Sequence, residues 1–140
     1  MSDLPAVGLV VVSHAREIAD GVARLARAMA PDVRVVAVGG LPDGSLGTDA
    51  VAVADAIQAA DAGAGVVVLA DLGGAVLAAE TALELRTDLG TGPARVRISG
   101  GPLVEGAVIG AVEAAGGSRL EEVLAATEAA RDLRKLHPGD

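Results

Sequence analysis

The stretch Val7-Gly8-Leu9-Val10-Val11-Val12 decides the fold, because it is apolar without interruption, as a strand covered on both faces must be. Three further runs read in the same way: Val33 to Val38, Gly65 to Ala70, and the shorter, partly alternating Arg95 to Ile98. Between them lie helix-period segments. Ile18, Val22, Leu25 and Met29 recur at steps of four and three, and similar patterns run from Val51 to Ile57 and from Val76 to Leu85. Strands alternating with helices predict an α/β fold with a doubly wound, mainly parallel four-stranded sheet and helices on both faces. The common flavodoxin-like order 2-1-3-4 makes the first and third strands neighbours.

After the fourth strand come Pro102-Leu103-Val104-Glu105-Gly106, an Ala-rich helix to Ala115, a Gly116-Gly117 break and a final helix. Ser118 and Glu121 have the spacing of a capping box, with Leu120, Val123, Leu124 and Thr127 as the face behind it. These are extra C-terminal helices on the core fold. The expectation is one domain over residues 1–132 and a flexible tail over 133–140.

The chain has 140 residues, enough for one core that buries roughly two thirds of the unfolded surface. Thirty residues are Ala and none is Phe, Tyr or Trp, so the core is built from Val, Leu, Ile and Ala. Small side chains allow close helix-on-sheet packing but offer no platform on which bases stack, and a net charge of −8 repels a polyanion, so no nucleic-acid partner is expected. The longest apolar stretches, Ala6 to Val12 and Ala64 to Ala70, fall far short of the ~20 residues of a membrane span. Met1-Ser2-Asp3 lacks the basic region of a signal peptide, and the absence of Cys fits a reducing compartment. A cytoplasmic protein without membrane attachment is expected.

Two histidines differ sharply in context. His137 lies in the polar tail and reads as a solvated bystander. His14 follows the first buried strand, and Asp71 holds the equivalent place after the third. In an open α/β sheet, ligands and reactive groups gather outside the carboxyl ends of the strands, where these two side chains would meet. A carboxylate bonded to one ring nitrogen fixes the tautomer and stabilises the imidazolium that develops as the other nitrogen attacks. The same pair read structurally is an ion pair or a helix cap. The segment from Gly39 to Thr48 carries four glycines before a helix start at Thr48; it lets backbone N–H groups approach an anion, or it is simple turn chemistry. It lacks the Gly-Lys-Ser/Thr ending of a nucleotide-binding loop. No Gly-x-Ser-x-Gly elbow supports serine hydrolysis, and two histidines without cysteine do not assemble a zinc site. No metal or organic cofactor is expected.

Four motifs in order carry a family resemblance: Val10-Val11-Val12-Ser13-His14, the Gly39–Thr48 loop, Leu69-Ala70-Asp71-Leu72-Gly73-Gly74-Ala75, and Pro102-Leu103-Val104-Glu105-Gly106-Ala107. Together they resemble the DhaM subunits of phosphoenolpyruvate-dependent dihydroxyacetone kinase, whose first domain is similar to mannose-family IIA domains of the sugar phosphotransferase system. The resemblance implies a phosphotransferase relay in which phosphorylated HPr donates to His14, and His14 phosphorylates ADP held in DhaL, which in turn serves dihydroxyacetone bound in DhaK. It implies phosphorylation of His14 at Nε2, Asp71 as the partner of the ring, Gly39, Gly40, Thr48 and Gly73 as phosphate-site loop positions, and a homodimer. Some DhaM chains continue into carrier and enzyme-I-like domains, so this one reads as a stand-alone IIA-type subunit or as part of a longer protein. The rival readings are a mannose- or fructose-class IIA domain feeding a IIB transport component, and a non-catalytic phosphate-sensing domain.

Overall fold

A computed structural model describes residues 5–88 and 95–139, so Met1-Ser2-Asp3 and the last tail residue, Asp140, lie outside the described residues. Strands β1 (Gly8–Ser13), β2 (Val35–Gly39), β3 (Val66–Ala70) and β4 (Val96–Ile98) form one parallel sheet in the order β2-β1-β3-β4. Helices α1 (Arg16–Met29), α2 (Ala50–Ala60), α3 (Gly73–Asp88), α4 (Leu103–Ala115) and α5 (Leu120–Ala129) cover it, and a 3-10 turn follows at Ala130–Asp132. The expected α/β architecture and strand order are those observed. No helix among the described residues is long and apolar enough to cross a membrane.

The unbroken apolar run of β1 follows from its central place. Leu9 and Val11 enter a core with Val67, Leu69 and the inward residues of α1, α4 and α5. Val10 and Val12 enter the opposite core with Val66, Val68, Val53, Ile57 and Ala79 under α2 and α3. All four are fully buried, worth ~1.5–3 kcal/mol each. Gly8 is required because a β-carbon there would overlap the Ala60 carbonyl at the end of α2.

Two local readings are corrected. In α1 the sheet-facing residues are Ala19, Val22, Ala23 and Ala26, whereas Ile18, Leu25 and Met29 are exposed. Close helix-on-sheet contact selects Ala over the larger residues whose spacing announces the helix. At α5 the cap sits one residue later than expected: the Arg119 N–H donates to Glu122 (2.8 Å), while the Ser118 hydroxyl donates to Glu113 (2.6 Å). The face Leu120, Val123 and Thr127 is buried as expected, with Leu124 packed against it. Beyond Leu133 the tail has no helix or strand among its described residues, and Lys135 pairs with Glu105 on α4 at 2.6 Å.

Candidate active site

The site forms where β1 and β3 end together. Val12 pairs with Ala70 in the ladder, and the Asp71 N–H donates to the Val12 carbonyl (3.1 Å), so the chain delivers Ser13-His14 and Asp71 side by side. The Asp71 carboxylate then accepts four hydrogen bonds. Its Oδ2 receives the Ser13 hydroxyl (2.8 Å) and the His14 N–H (3.0 Å); its Oδ1 receives the Leu72 N–H (2.7 Å) and faces His14 Nδ1 at 2.9 Å. Partial burial pushes the Asp71 carboxyl up, but the bonds from the His14 backbone, the His14 ring, Ser13 and Leu72 outweigh it and hold the group below the usual carboxylate range.

An ionised carboxylate only accepts, so Nδ1 must carry the proton and Nε2 the lone pair. The His14 side chain is 30% exposed, against 16% for Asp71, so the ring is the more accessible member of the pair. Nε2 lies against the first turn of α3, where a β-carbon on Gly74 would stand 2.9 Å from it. The N–H groups of Gly73 and Gly74 open that helix without a hydrogen-bond partner among the described residues. Unpaired helix-start amides beside a nucleophilic nitrogen suit a developing anion, an effect of ~0.3–1 kcal/mol from the helix dipole alone.

The loop from 39 to 48 is bonded to the backbone on either side of the imidazole. Gly40 donates its N–H to the Ser13 carbonyl (3.3 Å) and Gly47 to the His14 carbonyl (2.9 Å), so the loop holds the backbone that carries the imidazole. Gly39 lies opposite Ser13 in the ladder, and a β-carbon there would stand 2.6 Å from Arg16 Cα. Gly40 has φ 71, which favours glycine. Asp49, not Thr48, caps α2: its Oδ1 accepts the N–H groups of Val51 (3.0 Å) and Ala52 (3.4 Å). Thr48 sits half-buried one residue earlier. Gly73 has open space around its α-carbon, and it is the neighbouring Gly74 that meets the ring.

A cavity of about 590 Å³ runs along the edge of β2, lined among others by Arg16, Val38, Gly39, Pro42 and Asp55. His14 is not among its lining residues. Leu46 and Leu72 stand exposed on loops, and Leu77 and Val104 near the starts of α3 and α4, toward the same end of the sheet. His137 is remote in sequence and exposed in the tail. Sequence reasoning passed over Ser13 and Gly74. The alternation of side chains along β1, which turns Ser13 to the face of Val11, and the paired glycines at the start of α3 were the available signals.

Residues 8–124 match the EIIA-man family, described as PTS system fructose IIA component. The chain is 39% identical over 122 residues to the phosphoryl donor subunit DhaM of phosphoenolpyruvate-dependent dihydroxyacetone kinase from Escherichia coli, a match covering 84% of this chain and 25% of that one. It is 38% identical to phosphoryl donor subunit DhaM of the second such kinase from Listeria innocua, over 76% of this chain and 85% of that one. The chain thus spans about a quarter of the length of the Escherichia coli relative and others like it, and most of the length of the shorter one. Among solved structures, it is similar to the unknown function protein EF1359, with TM-score 0.75, 33% identity, and coverage of 88% of this chain and 93% of that one.

Proposed function

Because this chain belongs to the EIIA-man family and is a homologue of the DhaM phosphoryl donor subunits, we propose that it carries a phosphoryl group on His14 Nε2 within a cytoplasmic dihydroxyacetone kinase relay. The observation that carries this reading is the hydrogen bond of 2.9 Å between Asp71 Oδ1 and Nδ1, which leaves the Nε2 lone pair outward against Gly74. The donor is phosphorylated HPr. Nε2 attacks phosphorus, the new N–P bond forms as the donor's N–P bond breaks, and the Nδ1 proton stays in place. The ring is positively charged while phosphorylated, and the Asp71 carboxylate stabilises that charge. The N–H groups of Gly73 and Gly74 are placed to donate to the phosphoryl oxygens, so the protein supplies position and electrostatics and little covalent chemistry.

The acceptor in this reading is ADP bound in DhaL, whose ATP serves dihydroxyacetone in DhaK. A partly exposed imidazole, with Leu46, Leu72, Leu77 and Val104 exposed toward the same end of the sheet, fits protein partners better than a small molecule held in a pocket. The homodimer implied by the resemblance belongs to the same reading, and sedimentation equilibrium measures it. Incubation with phosphoenolpyruvate, enzyme I and HPr should add one phosphoryl mass to the wild-type chain and none to His14→Ala. Addition of ADP-loaded DhaL and dihydroxyacetone-loaded DhaK should then yield dihydroxyacetone phosphate. Transfer to a IIB transport component with ADP untouched would establish the sugar-transport reading instead. A wild-type chain that gains no covalent mass is a phosphate-sensing domain.

A further inference from the structure

We infer that Ser13 is a positioning residue for the reaction at His14: its buried hydroxyl orients the Asp71 carboxylate that in turn sets the tautomer of the ring. The inference rests on the carrier reading above for its kinetic consequence, though not for its structural one. Ser13 is fully buried, one of three buried polar residues among those described. Its Oγ accepts the Ala15 N–H at 3.1 Å and lies 2.8 Å from Asp71 Oδ2.

The direction of the proton follows from these partners. The Ala15 amide can only donate and the ionised carboxylate can only accept, so the hydroxyl hydrogen must point at Oδ2. A chain of donors therefore runs from the first turn before α1, through Ser13, into the carboxylate. Oδ2 is held at two points, by Ser13 and by the His14 N–H, and that fixes rotation about the Asp71 Cβ–Cγ bond. With Oδ2 fixed, Oδ1 is aimed at Nδ1 and the Leu72 N–H. Remove the hydroxyl and Oδ2 keeps one donor. The carboxylate is then held only by the His14 and Leu72 N–H groups and the ring, its rotation about that bond is less restrained, and the 2.9 Å contact to Nδ1 loosens. A looser contact admits the other tautomer, in which Nε2 bears the proton and cannot attack.

A purely local role is the alternative. A serine hydroxyl bonded to the N–H two residues on is a common turn, and Ser13 could do no more than complete the chain reversal into α1. Such a role would change stability and leave the ring as it was.

The test is Ser13→Ala, with Ser13→Thr as the variant that restores a hydroxyl and Ser13→Cys as a near-isosteric weak donor that gives the same readings where Ala destabilises the chain. Two measurements are made on each: the ratio of the His14 tautomers from imidazole ¹⁵N shifts, and kcat and KM for phosphorylation by HPr. The wild type should show a single Nδ1–H form. Ser13→Ala should show a mixture and lower kcat by roughly tenfold at unchanged KM for HPr, since a mispositioned group costs rate and not docking. Ser13→Thr should recover both. A wild-type tautomer ratio with a wild-type kcat in Ser13→Ala, at whatever stability, overturns the inference. A wild-type chain that takes up no phosphoryl group would refute the carrier reading, while the tautomer ratio would still decide the role of Ser13.

Discussion

Asp71→Asn is the perturbation that most directly probes how the imidazole is set. The carboxylate accepts from four groups within 2.7–3.0 Å, two on each oxygen. An Asn side chain has one accepting oxygen, so its amide nitrogen must face two of those four. If the nitrogen takes the place of Oδ2, it opposes the His14 N–H, and the Ser13 hydroxyl must turn to accept. If it takes the place of Oδ1, it opposes the Leu72 N–H and donates to Nδ1, which moves the ring proton to Nε2 and removes the nucleophile. Either orientation turns at least one backbone donor away from its acceptor, the part-buried His14 N–H in the first case and the exposed Leu72 N–H in the second, at a net cost of ~0.5–1.5 kcal/mol of folding stability. In both, the charge that stabilises the phosphorylated ring is gone, a contribution of ~1.5–3 kcal/mol for a charged hydrogen bond. Phosphorylation should slow by roughly 10- to 100-fold. Quenched-flow labelling from phosphorylated HPr and urea unfolding of the same samples measure the two effects. Transfer at the wild-type rate from a variant of unchanged stability would show that the fourfold acceptance at Asp71 is incidental to the chemistry.

Gly74→Ala should lower the rate far more than the stability. An added methyl 2.9 Å from Nε2 displaces the ring from Asp71, so transfer should fall by roughly 10- to 100-fold, while the lost ring bond and the gain from replacing Gly in the first turn of α3 largely offset each other in stability; thermal melts and labelling rates check both. The depressed carboxyl of Asp71 makes a prediction in acid. A group whose folded value lies below its unfolded one contributes stability that is complete above the ordinary carboxylate range and is lost as pH falls through the folded value, so the urea midpoint should drop below about pH 4, and Asp71→Asn should flatten that drop.

The layout of the sheet was legible because β1 and β3 are buried on both faces, and a continuous apolar run such as Val66-Val67-Val68-Leu69 is what a strand packed between two helical layers requires. The meeting of His14 and Asp71 was legible for the same reason, since each follows one of two strands that the common order makes adjacent. What lay beyond reading shares a cause: the deciding partners are backbone groups, or residues with little hydropathy signal. All four donors to Asp71 come from Ser13, His14 or its own neighbour Leu72, and two of them are backbone N–H groups, which no residue type announces. Which glycine of Gly73-Gly74 faces the ring depends on the phase of the first turn of α3. Ala19, Ala23 and Ala26 form the inner face of α1 without a hydrophobic pattern strong enough to outbid Ile18, Leu25 and Met29. At α5, Ser118-x-x-Glu121 and Arg119-x-x-Glu122 have the same spacing one step apart, and the contact of Ser118 with Glu113 decides between them.

The backbone around His14 is tethered on every side: its N–H to Asp71, its carbonyl to Gly47, and the preceding carbonyl to Gly40. An imidazole pinned in this way has no arm on which to swing from one client to another. On the proposed carrier reading, donor and acceptor should therefore occupy the same face at different times, and the kinetics should take the form of a double displacement, with parallel lines in double-reciprocal plots. Spent HPr should compete with the acceptor for the phosphorylated chain, so an excess of donor protein would throttle the relay it feeds.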